Sequence, residues 1–354
     1  MSLVKKEEWW EETRNFKKTV KEEYLDINET LAELENTSSV IRLELNTIEL
    51  PLFSKDPKRI KNQIKVYHFK TDKSSYLEIE APANYSIPGE FEERVFIALT
   101  KIMKNNNYSR SFVVSANEIL ETLGLSNKAY YKRIREALTL LSKTNYTFLN
   151  SLYSNKESGI IEKKIISSIM NITIISKKDS RAKEIEAFED GRIKEVYEIN
   201  FTDYFYENII RKGYLAFDSG KLLAIENSVS RAIYTIVEKW RGYDLYIKRQ
   251  AFFIARRIPL KWDKTQIKRT IDTMEKALIE LRNLNLIKDY KIIKEKKWEL
   301  AEIEITYEES HNKTKRDTFF TEKNEFNSMD MLVTSTEEKI KCISEDFHSG
   351  EISE

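Results

Sequence analysis

One short block of the sequence, residues 115–144, restricts the fold more than any other. It opens with Ser115 and Glu118, which are spaced as a capping box and predict the start of a helix. Gly124 follows at the position where a helix commonly ends in left-handed backbone. Ser126 can then cap a further helix that fills the rest of the block. Two helices joined by so tight a turn are typical of the helix-turn-helix that reads DNA.

The helix predicted after Ser126 has two chemically different faces. Apolar side chains recur on one side, which must face a core. Basic side chains lie on or near the opposite side, where the second helix of such a pair contacts phosphates and bases. On charge alone, an ordinary solvated face is an equally good interpretation. The candidate DNA contacts of this block are Ser126, Asn127, Lys128, Lys132, Arg135 and Lys143.

Strands and one more helix are predicted around this block. A helical run covers residues 91–103 and precedes it, and alternating residues after it predict a hairpin and a further strand. The hairpin strands are 146–154 and 160–176, around the turn 155–159, and the further strand is 195–201. The order helix, helix-turn-helix, hairpin is that of a winged helix. The first winged-helix domain, with preceding strands, is therefore predicted over 40–212.

After Gly213 the same order of elements recurs, which predicts a second winged-helix domain over 213–306. The predicted helices are 221–240, 249–258 and 264–282, and the predicted strands are 287–293 and 298–306. Asp263 is expected to cap the third helix. On or beside the outer face of that helix the candidate DNA contacts are Thr265, Gln266, Lys268, Arg269, Thr273 and Lys276. Asp272 on the same face argues mildly against every residue there contacting phosphate. At the tip between the two strands they are Lys294, Lys296 and Lys297.

Both ends of the chain differ from this middle part. Residues 1–39 predict an amphipathic helix, with a short heptad stripe within 16–34 that is compatible with a homodimer or with packing on the protein's own core. Residues 307–354 lose all periodicity and are predicted to be largely disordered. The predicted fold class is α+β: two tandem winged-helix domains with an N-terminal helix and a disordered acidic C-terminal tail.

The net charge of the whole chain conceals opposite local charges. Lys and Arg number 59 against 58 Asp and Glu, a net charge of +1. Residues 219–306 alone carry 19 basic and 12 acidic side chains, a net charge of +7, whereas residues 307–354 carry 6 and 12, a net charge of −6. The basic stretch is a plausible electrostatic footprint for nucleic acid.

Several classes of protein are disfavoured by what the sequence lacks. The three histidines have no metal-ligand spacing, and neither a phosphate loop nor a dinucleotide fingerprint is present. We therefore expect no enzyme activity, no metal and no cofactor. A single cysteine, Cys342, fits the reducing cytoplasm. The longest mostly apolar stretch, Ile165 to Ile175, has 11 residues and is too short to cross a bilayer.

The chain resembles bacterial plasmid replication initiators of the replication initiator protein A type, which are built from winged-helix domains. The residues that carry the resemblance are Ile48 to Phe53, Leu123 to Leu138 and Tyr197 to Tyr214, and the likeness covers roughly residues 40 to 240. The resemblance implies binding of double-stranded DNA at repeated sites of a plasmid origin. It also implies that host replication proteins are recruited to open the origin, and that the protein often represses its own gene.

Two other functions remain open from the residues themselves. A winged-helix transcription regulator without origin activity would use the same binding chemistry, and the sequence barely separates it from an initiator. A DNA-processing enzyme would need a nucleophilic tyrosine beside a metal site. The 18 tyrosines supply candidates for the nucleophile, but no metal cluster accompanies them.

Overall fold

The computed structural model describes residues 39–70, 72–179, 181, 188, 193–294, 297–316 and 318. The predicted N-terminal helix, including the heptads within 16–34, lies outside the described residues. So does most of the predicted tail. Among the described residues, no helix is both long enough and apolar enough to span a membrane.

The protein is a mixture of helices and antiparallel strands, which confirms the α+β prediction at that level. The helices are α1 (Leu45–Glu49), α2 (Glu90–Asn105), α3 (Ala116–Thr122), α4 (Tyr130–Lys143), α5 (Asp203–Ile210), α6 (Ser219–Ala224), α7 (Ser228–Arg241), α8 (Ala251–Arg257), α9 (Ile267–Asn283) and α10 (309–316). The strands are β1 (Val40–Glu44), β2 (Ile64–His68), β3 (Tyr76–Glu80), β4 (Ser111–Val114), β5 (Asn145–Leu149), β6 (Tyr153–Ser154), β7 (Gly159–Ile160), β8 (Lys164–Ser167), β9 (Met170–Ser176), β10 (Glu195–Phe201), β11 (Tyr214–Asp218), β12 (Tyr246–Gln250), β13 (Asp289–Ile293) and β14 (Glu302–Thr306).

In the first half, three helices pack on one another and on a three-stranded sheet. Helices α2, α3 and α4 are in mutual contact, and the strand order of the sheet is β4-β10-β9. Ile199 of the central strand lies opposite Phe112 on one side and Ile172 on the other. Strand β4 was not predicted, because its four residues are too few to give a clear alternation.

The hairpin predicted over 146–154 and 160–176 is wrong, because its two halves belong to different sheets. Strand β5 pairs with β3 and β8 in the four-stranded sheet β2-β3-β5-β8, whereas β9 joins β10. The turn at 155–159 only connects the two-residue strands β6 and β7. Alternation shows which side chains are buried, but it does not show which sheet a strand joins.

The second half repeats the order of the first with fewer additions. Helix α7, strand β12, helices α8 and α9 and strands β13 and β14 follow one another, and the sheet order is β12-β14-β13. The helix predicted over 221–240 is two helices, because the side chain of Asn227 accepts a hydrogen bond from Val229 N and starts α7 there. Strand β12 was not predicted, and its last two residues had been placed in the next helix.

One apolar core runs through both halves. It joins residues of α2 and α4 to residues of α7 and α9, and α6 packs directly on α2. Strand β1 near the beginning of the described chain pairs with β11, which follows the predicted boundary at 212. The two halves therefore share packing, and the boundary itself stays a prediction.

The folded part of the chain continues past residue 306, where the tail was predicted to begin. Helix α10 packs against the C-terminal end of α7, and Asn312 is buried. Its Oδ1 accepts from Arg241 Nη1 at 2.8 Å, and Lys315 Nζ lies 3.2 Å from Glu238 Oε2. Buried polar contacts of this kind give residues 309–316 a fixed place despite their polar composition.

Candidate nucleic-acid interface

The turn between α3 and α4 closes largely as the sequence predicts. Ser115 Oγ accepts from Glu118 N at 3.1 Å, and Gly124 takes a φ of 70°. Leu125 N then donates to Leu120 O at 3.0 Å, the long bond of a Schellman motif. Ser126 does not cap α4, however. A turn intervenes, and the helix begins at Tyr130.

Helix α4 buries one face and exposes the other, as its periodicity predicts. The buried side chains include Ile134, Ala137 and Leu141, which belong to the apolar core. All six candidate DNA contacts of this block, from Ser126 to Lys143, are exposed. They extend along the whole helix, so the structure does not gather them into one patch. Lys143 lies about 16 Å from Lys132 at 1.5 Å per residue.

Carboxylates accompany two of the basic side chains on α4. Lys132 Nζ is 3.9 Å from Glu136 Oε1 one turn later, and Arg135 Nη1 is 3.5 Å from Glu195 Oε2 on β10. Both cations remain more than half exposed, so these pairs contribute little to stability. They do reduce the local positive charge that an approaching phosphate meets.

The beginning of α9 differs slightly from the prediction. Asp263 Oδ1 accepts from Thr265 N at 3.0 Å, which forms a turn, and the helix begins at Ile267 rather than at residue 264. Thr265 is exposed, whereas Gln266 is half-buried at the cap position.

The outer face of α9 carries three cations that form no ion pair among the described residues, and the carboxylate of Asp272 shares that face. Lys268, Arg269 and Lys276 are exposed, and none of them forms an ion pair within the described part of the chain. Thr273 is half-buried, and its hydroxyl donates to Arg269 O at 2.9 Å. Unlike Lys132 and Arg135 of α4, these three cations are therefore not held by a carboxylate and can turn to an anion.

The lysine-rich tip between β13 and β14 is only partly described. Lys294 Nζ lies 4.5 Å from the centre of the Trp298 ring, a cation–π contact, and Lys297 is exposed. Lys296 lies outside the described residues. The second strand was predicted to start at Trp298, but residues 298–300 form a 3-10 turn and β14 begins at Glu302.

In the first half, the sequence pattern did not predict the connection between the last two strands, β9 and β10. Because β9 pairs with β10, the chain connects the last two strands of that sheet through residues 177–194, most of which lie outside the described residues, and not through 155–159. Lys177 and Lys178 are exposed at its beginning. Two adjacent lysines directly after an alternating strand were a signal that could have identified it.

Among the described residues, no group of three or more His, Cys, Asp or Glu is placed to hold a metal ion. The expectation that the chain is not an enzyme stays a prediction.

Comparisons with known proteins give one family and a related fold. The sequence profile of the family described as Replication initiator protein A matches residues 42–247. The crystal structure of selenomethionine derivatives of domains 2 and 3 of RctB is similar in fold, with a TM-score of 0.51, 12% identity and coverage of 74% of this chain and 98% of that chain. Another crystal structure of RctB domains 2–3 has a TM-score of 0.48, 13% identity and coverage of 75% and 98%. No curated protein matches the chain.

Proposed function

Because the chain belongs to the replication initiator protein A family, we propose that it initiates plasmid replication by binding double-stranded DNA at repeated sites of an origin. In this role the protein contributes binding energy and geometry, and no catalytic side chains are needed. The residues that would carry the binding lie on α4 and α9.

Each half of the protein is a winged helix in this proposal. The support is a shared topology: apart from strands β5 to β8, which are inserted between α4 and β9 in the first half, both halves have the order helix, strand, helix, helix, strand, strand, and in both sheets the last strand is central. In a winged helix, the second helix of the helix-turn-helix enters the major groove and the tip between the last two strands contacts the backbone. Helices α4 and α9 hold that position in the two halves.

The observation that carries the proposal is the exposed basic face of α9. Arg269 and Lys276 lie on the outer side of the helix, opposite the buried Ile271 and Met274, and Lys268 is exposed beside them. Uncompensated cations on one face of a helix attract phosphates, and arginine can also donate two hydrogen bonds to a guanine. Two such helices in one chain are able to read two successive major-groove faces, about one helical turn apart, without a dimer.

The remaining parts of the proposal follow from family membership. The initiator would act in the cytoplasm, where its plasmid is replicated, recruit host replication proteins to the origin, and repress its own gene when that gene lies next to the repeats. Autonomous replication distinguishes the two candidate functions, because an origin-binding initiator supports it and a transcription regulator does not.

A plasmid maintenance assay tests that criterion. The gene and its flanking origin are placed on a circle that carries a resistance marker but no other origin. We expect the wild type to maintain the circle, and a variant with Lys268, Arg269 and Lys276 replaced by alanine to lose it while remaining folded. The matched control replaces Lys58, Lys61 and Lys164, which lie outside α4 and α9, by alanine. Failure of the wild type to support replication, despite specific binding to the repeats, would favour the transcription regulator.

A further inference from the structure

Two glutamates of the first half are bound by cations of the second half, at the boundary between the proposed winged helices. Glu93 of α2 is the first. Its Oε2 lies 3.3 Å from Nη2 of Arg231 in α7, and its Oε1 accepts from Lys55 Nζ at 2.7 Å. The same arginine donates from Nη1 to Ile225 O at 2.5 Å, which orients the guanidinium toward Glu93.

Glu49 of α1 is the second glutamate. It forms an ion pair with Lys239 of α7, and its Oε2 lies 3.4 Å from Arg257 Nη1 at the end of α8. Each glutamate therefore has two cationic partners. Arg231 and Lys239 are eight residues apart on α7, so the two contacts hold that helix at two points about 12 Å apart along its axis.

These ion pairs are largely shielded from water. The exposed fraction of the side chain is 1% for Arg231, 6% for Lys55 and 13% for Glu93. Burial alone would raise the pKa of Glu93, but Lys55 and Arg231 outweigh it and hold that pKa below its usual value. An ion pair that has lost its hydration depends on close geometry, because neither charge can turn to solvent when the partner moves away.

Direct packing connects these contacts to both candidate reading helices. On one side, α2 packs on α4, and the guanidinium carbon of Arg133 in α4 lies 4.0 Å from the centre of the Phe91 ring in α2. On the other side, α7 packs on α9. Glu280 of α9 accepts from Asn227 N at 3.2 Å and from Ser230 Oγ at 2.5 Å, at the beginning of α7. The path from α4 to α9 therefore passes through α2, Glu93, Arg231 and α7.

We propose that Glu93 and Glu49 are specificity-determining positioning residues: they hold α4 and α9 in one relative orientation and so make the spacing between the two half-sites part of what the protein recognises. This inference rests on the proposed function. It adds that the protein discriminates between duplexes that contain the same two half-sites at different separations. Neither glutamate needs to touch DNA.

The test measures affinity as a function of spacing. A duplex is selected from a random library with the wild-type protein, and derivatives carry insertions between its two footprints. An insertion of about five base pairs, half a helical turn, should lower wild-type affinity at least tenfold because the second half-site turns away. The double variant Glu49→Gln and Glu93→Gln should bind the parent duplex more weakly, but lose less than about threefold on insertion. The matched control is Glu80→Gln, an exposed glutamate on the four-stranded sheet, which should keep the wild-type profile.

The outcomes separate the two proposals. If the wild type enriches no sequence, the proposed function fails. If it binds the selected duplex but tolerates every spacing, or if the folded double variant keeps the wild-type profile, only the positioning role fails. Should the double variant not fold, hydroxyl-radical footprints of the wild type decide the matter. On the five-base-pair derivative we expect one footprint to persist and the other to fade, and two equally strong footprints would overturn the inference.

Discussion

The two halves of the protein have the same order of elements but pair their charges differently. At the surface, Lys132 and Arg135 of α4 form ion pairs with carboxylates, whereas Lys268, Arg269 and Lys276 of α9 form none within the described residues. In the interior the contrast is sharper. Among the buried glutamates, Glu44 in the first half and Glu238 in the second have different partners. The fold determines that each of these two carboxyl groups is buried, and the neighbouring side chains determine whether its pKa is raised or lowered.

Glu44 is buried, and no cation of the described residues forms an ion pair with it. Its Oε1 accepts from the side-chain amides of Asn46 at 2.6 Å and Asn208 at 2.5 Å, and its Oε2 accepts from Thr47 N at 3.0 Å. Burial raises the pKa of Glu44 to about 7, although those hydrogen bonds lower it in part. Amide donors alone do not compensate fully for lost hydration.

Glu238 is equally buried but lies between two cations. Arg241 Nε and Nη2 donate to its two oxygens at 2.7 and 2.9 Å, and Lys315 adds a second positive charge. Burial alone would raise the pKa of Glu238, but Lys315 and Arg241 outweigh it and hold that pKa below its usual value. This carboxylate is charged at neutral pH, and its ion pair with Lys315 connects α10 to α7.

The largest effect is expected from Glu238→Gln. The substitution leaves Arg241 and Lys315 buried without their counter-charge, so it should lower the free energy of unfolding by about 3–5 kcal/mol. Urea titration followed by circular dichroism measures this change. The control is Glu80→Gln, which should change the free energy of unfolding by less than about 0.5 kcal/mol. If Glu238→Gln lowers the free energy of unfolding no more than Glu80→Gln does, the contacts of Glu238 with Arg241 and Lys315 do not stabilise the protein.

Glu44→Gln should instead change how stability depends on pH. The pKa of Glu44 is raised on folding, so its stabilising contribution is complete below about pH 4.5 and is lost as the pH rises through about 7. From pH 5 to pH 8 the wild type should lose on the order of 2–3 kcal/mol through this group. The variant has no ionisable group there, so the same titration should be flatter. Equal slopes for wild type and variant would contradict the account of Glu44.

On the DNA side, Arg269→Ala should cost more affinity than any single change on α4. A base-contacting arginine contributes about 1–3 kcal/mol, and Arg269 forms no ion pair within the described residues. Fluorescence anisotropy with the selected duplex measures the loss. The control is Arg282→Ala on the same helix, since Arg282 is 3.3 Å from Asp289 at the far end. If Arg282→Ala lowers the affinity for the duplex more than Arg269→Ala does, the DNA contact lies at the C-terminal end of α9 and not near its beginning.

Lys132→Ala should have the smallest effect. A lysine that contacts only phosphate weakens binding to all sequences alike and lowers the slope of log affinity against log salt by about 1. Titrations at several salt concentrations give that slope, with Lys164→Ala on the four-stranded sheet as the control. An unchanged slope for Lys132→Ala would remove this residue from the interface.

Local signals in the sequence identified much of this structure, and long-range pairing explains what they missed. Helix α4, the Gly124 turn and the buried stripe of α9 follow from spacing and capping, which depend on neighbouring residues. The division of 146–176 between two sheets depends on strands as distant as β3 and β10, and no local pattern records it. The basic faces could be predicted from periodicity. The ion pairs of these basic side chains could not be predicted, since Glu195 is 60 residues from its partner Arg135.

The central claim is that the exposed basic faces of α4 and α9 bind specific double-stranded DNA. The most direct measurement is the affinity of the wild type and of the double variant Lys132→Ala and Arg269→Ala for the selected duplex and for a scrambled duplex of the same length. We predict that the wild type prefers the selected duplex by at least about a thousandfold. The double variant should bind the selected duplex at least about tenfold more weakly than the wild type and should show a reduced preference, because Arg269 contacts a base. Equal affinities of the two proteins for the selected duplex would contradict the account.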